Sequence, residues 1–446
     1  MNKRLIYLLF FISVLMMAEL AFADSLHYSL IYSGNLEGEL EPCGCSIEGN
    51  SGGILRRAQK LDELRASEPA LFALSAGGLL ATGLAEETLK SRYIFKGFAQ
   101  LGYDAVGVQW SDLLYGEEFA TAEPIPWVAS NWLGKDFVRS RTLERDGKRL
   151  VFFSWLDPQR SPYRQMHGEH RVITSAVEDL AAALQQARAD GLLTVLASTY
   201  TLEQAQQELP LQYVDVLLIK AAYEEYAEPK RVGDTVVLQP GSRGLRLGRI
   251  EIDYVTGKGV IDWRHEVISL PPAVPNAKRL EAWYQAYNDE VAAAYQASVE
   301  QRKAQAAAAD SPFAGEKACR ACHLKTHEIF KQSRHAKAFS ILERVNKAFD
   351  PECIVCHSVG FNTAGGFIDS STTRHLRNVQ CESCHGAGRA HAESAGQAPL
   401  AHRDWEPQQM CAQCHTPKHS PAFDFASYFA KIKHSEGQAV AADVDR

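Results

Sequence analysis

Beyond its first two dozen residues, this sequence has no run approaching the 18 apolar residues that a membrane-crossing helix needs. It also has no excess of positive charge. Its 47 Lys and Arg face 54 Asp and Glu, a formal net charge of -7, which argues against nucleic acid as a partner. It cannot build an ordinary disulfide framework. Eight of its 10 cysteines belong to one short recurring pattern, and the other two, Cys43 and Cys45, stand one residue apart. Charge is also unevenly spread: residues 311–446 hold 16 Lys and Arg against 14 Asp and Glu, so nearly all the acidity lies in the first 310 residues. A length of 446 residues with 46% apolar content suggests ordinary globular protein in two or three domains.

The recurring pattern is Cys-x-x-Cys-His, written four times: Cys319, Cys322 and His323; Cys353, Cys356 and His357; Cys381, Cys384 and His385; Cys411, Cys414 and His415. This is the attachment signature of c-type haem. Two thiols form thioethers with the vinyl groups, and the adjacent His is held where it ligates iron from one face. Structural zinc is the competing reading, since two Cys-x-x-Cys pairs make one four-thiolate site. Zinc does not require a His after every second Cys, and all four pairs have one. The expected cofactors are four c-type haems. The motifs recur at unequal intervals, so they form a haem chain and not a solenoid.

The N-terminus agrees. Lys3 and Arg4 precede an apolar run over residues 5–17 and an Ala21-Phe22-Ala23 cleavage site, so residues 1–23 read as a secretory signal peptide. The expected location is periplasmic, with no membrane span in the mature chain. Residues 24–275 alternate apolar strands with amphipathic helices, the pattern of a layered α/β domain with a mixed sheet. Helices are expected over 54–66, 86–101 and 174–190, and a hairpin around Asp146-Gly147. Pro271-Pro272 ends this pattern. Residues 276–312 read as a helical linker whose first half packs through Trp283, Tyr287 and Val291 and whose second half is exposed. Residues 313–446, rich in His and poor in strand signals, form a mostly α domain built around haem.

A haem that only carries electrons needs a second axial ligand. Seven further His occur in the region: His327, His335, His375, His391, His402, His419 and His434. Full bis-His ligation, low-spin and closed to substrate, is therefore available. His335, His391 and His434 are the favoured distal ligands, with His375 or His419 for the fourth position; His327 and His402 rank behind them.

Residues 314–434 resemble the cytochrome c-554/c-552 multihaem family. The matching stretches are Gly315-Glu316-Lys317-Ala318-Cys319, Ser333-Arg334-His335-Ala336, Cys353 through Phe361, Val379-Gln380-Cys381-Glu382-Ser383-Cys384-His385-Gly386, and Phe423-Asp424-Phe425 before His434. The resemblance implies a mostly helical tetrahaem module with stacked haems and mostly bis-His iron, in a family where one haem can lack a sixth ligand. More weakly, residues 27–270 resemble the catalytic domain of 5′-nucleotidase-like metallophosphatases, through Ser33-Gly34-Asn35-Leu36-Glu37-Gly38, Gly52-Gly53-Ile54-Leu55-Arg56-Arg57, residues 126–131 and residues 241–248. That family holds two metals on Asp, His and Asn. Here the matching positions read Asn35, Glu37, Gly77-Gly78, Gln109 and Thr199, with Asn131 as a relic, so the fold is expected to have lost two-metal hydrolysis.

The leading functional expectation is an electron carrier serving redox partner proteins, such as other cytochromes or quinol-linked complexes. The alternatives are an oxidoreductase acting on a small nitrogen or sulfur compound at one open haem or at Cys43/Cys45, and a haem-linked phosphohydrolase. Cys43-Gly44-Cys45 reads either as a strained disulfide or free thiols, or as a reactive or metal-binding dithiol. His167 and His170 read as surface residues.

Overall fold

The computed structural model describes residues 25–42, 50–81, 88–160, 173–219, 227–306, 310–417 and 419–434. The expected signal peptide, Cys43, Cys45, His167 and His170 lie outside the described residues. The described chain divides into two compact units, one drawn from residues 25–42 and 51–278, the other from residues 279–434.

The N-terminal unit contains the strands β1 (Leu26–Ser33), β2 (Phe72–Ser75), β3 (Ala105–Gly107), β4 (Trp127–Val128), β5 (Ser140–Arg145), β6 (Lys148–Trp155), β7 (Leu193–Ser198), β8 (Val216–Ile219), β9 (Ala227–Val232), β10 (Thr235–Gln239), β11 (Arg246–Val255) and β12 (Gly259–Ser269). They form two six-stranded mixed sheets, in the orders β12-β11-β1-β2-β3-β4 and β5-β6-β7-β8-β10-β9. The sequence predicts a single mixed sheet; the structure has two, because most strands are buried on both faces. A run of consecutive apolar residues shows that a strand is covered but not which sheet it joins. The edge strand β9 escapes sequence reading because it is polar and contains Pro229, a residue tolerated only where a backbone donor is not needed.

Register explains the shared core. β1 runs parallel to β2, with Leu30 beside Phe72, and antiparallel to β11, with Tyr28 beside Ile252. This period of two turns Tyr28, Leu30, Tyr32, Phe72, Leu74, Ile250 and Ile252 into one layer. There they meet Leu150, Phe152, Val195, Val216, Leu218 and Leu238 of the second sheet. On the far face of that second sheet, Val151, Phe153, Trp155, Leu196 and Leu217 pack with Leu180, Leu184 and Ala187 of a helix at Glu178–Ala189. Helices α1 (Ile54–Ser67) and α2 (Thr88–Ala99) bury Leu55, Ala58 and Leu61, and Tyr93, Phe95 and Phe98. The helix at Glu178–Ala189 is α3.

The C-terminal unit begins with a long helix, α4 (Glu281–Ala306). The sequence predicts that its second half is an exposed linker. Instead Tyr295 and Val299 join a core with Phe313, Phe339, Leu342, Ile354, Val359, Phe361, Phe367, Ile368 and Leu376. Tyr295 also donates its hydroxyl to Ile368 O at 2.8 Å, and the Arg302 guanidinium lies 4.5 Å from the Phe361 ring centre. Ala and Gln runs conceal this, because the two large residues that pack are spaced four apart in otherwise small or polar sequence. The remaining helices are short: α5 (Glu316–Arg320), α6 (Leu324–Gln332), α7 (Ala338–Arg344), α8 (Pro351–His357), α9 (Cys381–His385), α10 (Arg389–Glu393), α11 (Pro407–Ala412) and α12 (Phe425–Phe429). No helix among the described residues is long and apolar enough to cross a membrane.

Candidate functional site

Each Cys-x-x-Cys-His segment folds as a helical turn. His323 N–H donates to Cys319 O at 3.0 Å and His415 N–H to Cys411 O at 2.9 Å, while the second and third segments lie within α8 and α9. In a helix, positions i and i+4 share a face, so the first thiol and the imidazole project together. The segments are called sites 1 to 4 in chain order.

Three of the four motif imidazoles face a second imidazole. The His323 and His391 ring centres are 6.3 Å apart, those of His335 and His415 6.2 Å, and those of His385 and His434 5.9 Å. An imidazole nitrogen sits about 2 Å from a bound first-row metal, and its ring centre about 1 Å further out, so two imidazoles on opposite faces of one iron lie about 6 Å apart. The three pairs have that spacing. The second ring nitrogen is also held. His391 Nδ1 bonds Ala398 O at 2.8 Å, His415 Nδ1 bonds Ser420 Oγ at 2.9 Å and His434 Nδ1 bonds Ile432 O at 3.1 Å. Such partners fix the ring and leave Nε2 to the metal. Burial lowers the pKa of His335, His357, His385 and His415, which favours the neutral form that ligates iron. The residues present therefore fit c-type haem.

Site 2 differs. His357 donates Nδ1–H to Ala338 O at 2.7 Å, but among the described residues no second imidazole is paired with it. Among the described residues no ring contact joins His357 to His375 or His419, expected as alternatives for a fourth distal position; His375 lies beside Gly315, and only His335, already opposite His415, is near enough to His357 to interact electrostatically. His327 is joined to Glu316 in a short, largely buried contact. His402 stacks on Trp405 with ring centres 3.9 Å apart and bonds Cys384 O through Nδ1 at 2.8 Å.

The sulfurs show how the sites adjoin. Cys319 lies close enough to Cys381 to interact electrostatically, linking sites 1 and 3. Cys356 lies close enough to Cys414 to interact electrostatically, linking sites 2 and 4, and Cys384 to Cys411 and Cys414, linking sites 3 and 4. The order is 1, 3, 4, 2. Two residues that sequence reading passed over brace the 1–3 junction. The Glu382 carboxylate, buried within the third motif, accepts backbone N–H bonds from Ala314 at 2.9 Å, Gly315 at 2.8 Å and Gly388 at 2.8 Å. Gln380 accepts Glu316 N–H at 2.7 Å and donates to His375 O and Arg377 O. The only signal was an acidic residue at a motif position with no role in attachment.

In the N-terminal unit, Asn35, Gly77-Gly78 and Gln109 follow the ends of the parallel strands β1, β2 and β3, while Asn131 follows β4 and Thr199 follows β7. They bond to one another and to the backbone. Gln109 donates to both Asn35 Oδ1 and Ala76 O at 3.0 Å. A Cβ at Gly78 would stand 2.9 Å from Gln109 Oε1 and 3.0 Å from Asn35 Oδ1, and one at Gly77 only 2.0 Å from Gly107 O. A side chain on either glycine would therefore meet neighbouring atoms. Asn131 donates to Leu156 O at 2.8 Å and accepts Leu156 N–H at 3.2 Å, and Thr199 Oγ1 accepts Asp157 N–H at 2.7 Å. Asp112, fully buried, accepts the N–H groups of Gly78, Leu79 and Gln109; burial raises its pKa to about 6, against the pull of those donors. Among the described residues no three His, Cys, Asp or Glu are grouped to hold a metal ion. These residues do not fit a dinuclear centre.

Comparison with known proteins divides the chain in the same way. Residues 318–386 match the family described as cytochrome c554 and c-prime. Cytochrome c-554 of Nitrosomonas europaea is 34% identical over 142 residues, which is 25% of this chain and 60% of that protein. The chain thus spans less than two thirds of that relative. A 5′-nucleotidase precursor from Thermus thermophilus superposes with a TM-score of 0.52 at 17% identity, covering 60% of this chain and 59% of the other. The sulfate thiohydrolase SoxB of Thermus thermophilus, in complex with glycerol, superposes with a TM-score of 0.51 at 17% identity, covering 59% and 60%. At that identity the likeness shows fold alone. The chain therefore joins a two-sheet α/β unit of 5′-nucleotidase-like metallophosphatase fold to a C-terminal region with the cytochrome c554 family segment, for which c-type haem is the implied cofactor.

Proposed function

We propose that this protein is a periplasmic four-haem electron carrier, closed at sites 1, 3 and 4 by bis-His ligation and open at site 2. Bound haem supplies one-electron chemistry at a potential set by its ligands and surroundings. The chain supplies the ligands, the order in which the sites adjoin, and the covering of three of the four iron faces. The three imidazole pairs at iron-spanning separation carry this reading. His357, unpaired among the described residues, favours a second reading in which site 2 also accepts a small ligand such as a nitrogen oxide. The N-terminal unit is proposed to be inactive as a phosphohydrolase, since Asn35, Gln109 and Asn131 bond to one another or to the backbone.

EPR of the purified, haem-loaded protein tests both statements. The expected spectrum has three low-spin components and one high-spin component, with CO binding to one equivalent of reduced haem. Four low-spin components without CO binding would remove the open site, and fewer than four haems per chain would remove the four-haem carrier. Phosphate release from nucleotides with added Mn²⁺ would overturn the claim of an inactive phosphohydrolase.

A further inference from the structure

The sulfur contacts make site 1 and site 2 the two ends of the series. Site 1 carries a run of exposed positive charge. Residues 315–337 hold six cations, Lys317, Arg320, Lys325, Lys331, Arg334 and Lys337, against Glu316 and Glu328, in a protein of net charge -7. All six cations are exposed. Five of them form no ion pair among the described residues, and Lys331 reaches only Glu316, at 3.7 Å, whose carboxylate already holds His327. They ride on α5, α6 and the turn at His335–Lys337, which pack on one another. The same segment exposes Leu324, at 50%, and Ile329, at 39%, and Cys322 of site 1 is exposed as well. Uncompensated charge of one sign steers an oppositely charged partner to it.

We propose that this basic face around site 1 is the docking surface for an acidic redox protein, which exchanges one electron at a time with the series through site 1. The proposal rests on the carrier reading above. It separates the traffic by chemistry: a protein at the site 1 end, a small ligand at the site 2 end. Each transfer is balanced, the partner losing the electron that the series gains or the reverse, with no bond made or broken.

The test uses the full haem-loaded protein with flavodoxin, a small acidic redox protein, as probe. The dissociation constant and the rate of reduction by reduced flavodoxin are measured at about 10 mM and about 200 mM salt, where the screening length shortens several-fold. Binding is expected to weaken about ten-fold with salt. The double variant Lys317→Glu/Lys325→Glu is expected to weaken binding about ten-fold at low salt, while Lys431→Glu/Lys433→Glu, beside site 3, leaves it unchanged. Reduction by free riboflavin semiquinone, a small reductant, should be unchanged in every variant. Failure of riboflavin to reduce the wild-type haems would sink the carrier reading itself. Normal reduction by riboflavin with salt-independent flavodoxin binding would sink the docking surface alone. A changed potential at site 1 in Lys317→Glu/Lys325→Glu would show that the cations serve haem propionates, and binding to phosphatidylglycerol vesicles without binding to flavodoxin would assign the face to a membrane surface; either overturns the proposal.

Discussion

The two units solve the problem of a polar interior in opposite ways. In the N-terminal unit, the polar side chains at the strand ends bond to one another and to the backbone: Gln109 to Asn35 and Ala76, Asn131 to Leu156, Asp112 to three N–H donors. In the C-terminal unit, the imidazoles face one another across about 6 Å, too far for any direct bond between them and the right distance for a shared iron. One set of side chains is spent on bonds within the polypeptide; the other is spaced for a cofactor between its members. Polar side chains at strand ends find partners inside the protein in this way because a buried polar group left unpaired costs free energy.

The largest expected effect breaks the comparison at its root. If the C-terminal unit depends on haem, expression without haem attachment should abolish its cooperative unfolding transition while that of the N-terminal unit persists. Scanning calorimetry decides this, and two surviving transitions would show that the polypeptide alone suffices. Next, replacing a distal ligand should open a second site. His391→Ala is expected to raise CO binding from one equivalent to two and add a high-spin EPR component, whereas unchanged binding would dismiss the His323–His391 pairing. In the sandwich core, Leu218→Ala should cost about 3 kcal/mol in the first unfolding transition and leave haem spectra untouched. Smaller still are the two buried carboxylates that each gather three backbone N–H groups. Asp112→Asn and Glu382→Gln are each expected to cost about 2 kcal/mol, because an amide offers one acceptor atom in place of two. The first should act on the N-terminal transition and the second on the C-terminal one, as urea titration would show. Smallest of all, added Mn²⁺ or Zn²⁺ should leave the N-terminal melting temperature unchanged, and a saturable rise would restore a metal site that the geometry denies.

Legibility followed the range of the interactions. The helical stripes of α1 and α3 were visible because a period near 3.6 is a local property, and most strands were visible as apolar runs. Their partition into two sheets was not, since the same apolar run suits either sheet. The packing of α4 was misjudged for a related reason: Tyr295 and Val299 acquire their role from Phe339, Ile354 and Phe367, residues far along the chain. Glu382 looked like filler within a motif because its three bonding partners are backbone groups, which carry no sequence signature.

By itself the sequence determined the number of Cys-x-x-Cys-His segments and pointed to c-type haem as their cofactor, because both are written in contiguous residues. Only the tertiary structure decided which imidazole opposes which, that His357 makes no ring contact with a second imidazole among the described residues, and that the sites run 1, 3, 4, 2. The seven spare His are chemically identical, and the short helices, turns and loops carrying them alone set which ring reaches an iron-spanning distance from a motif His.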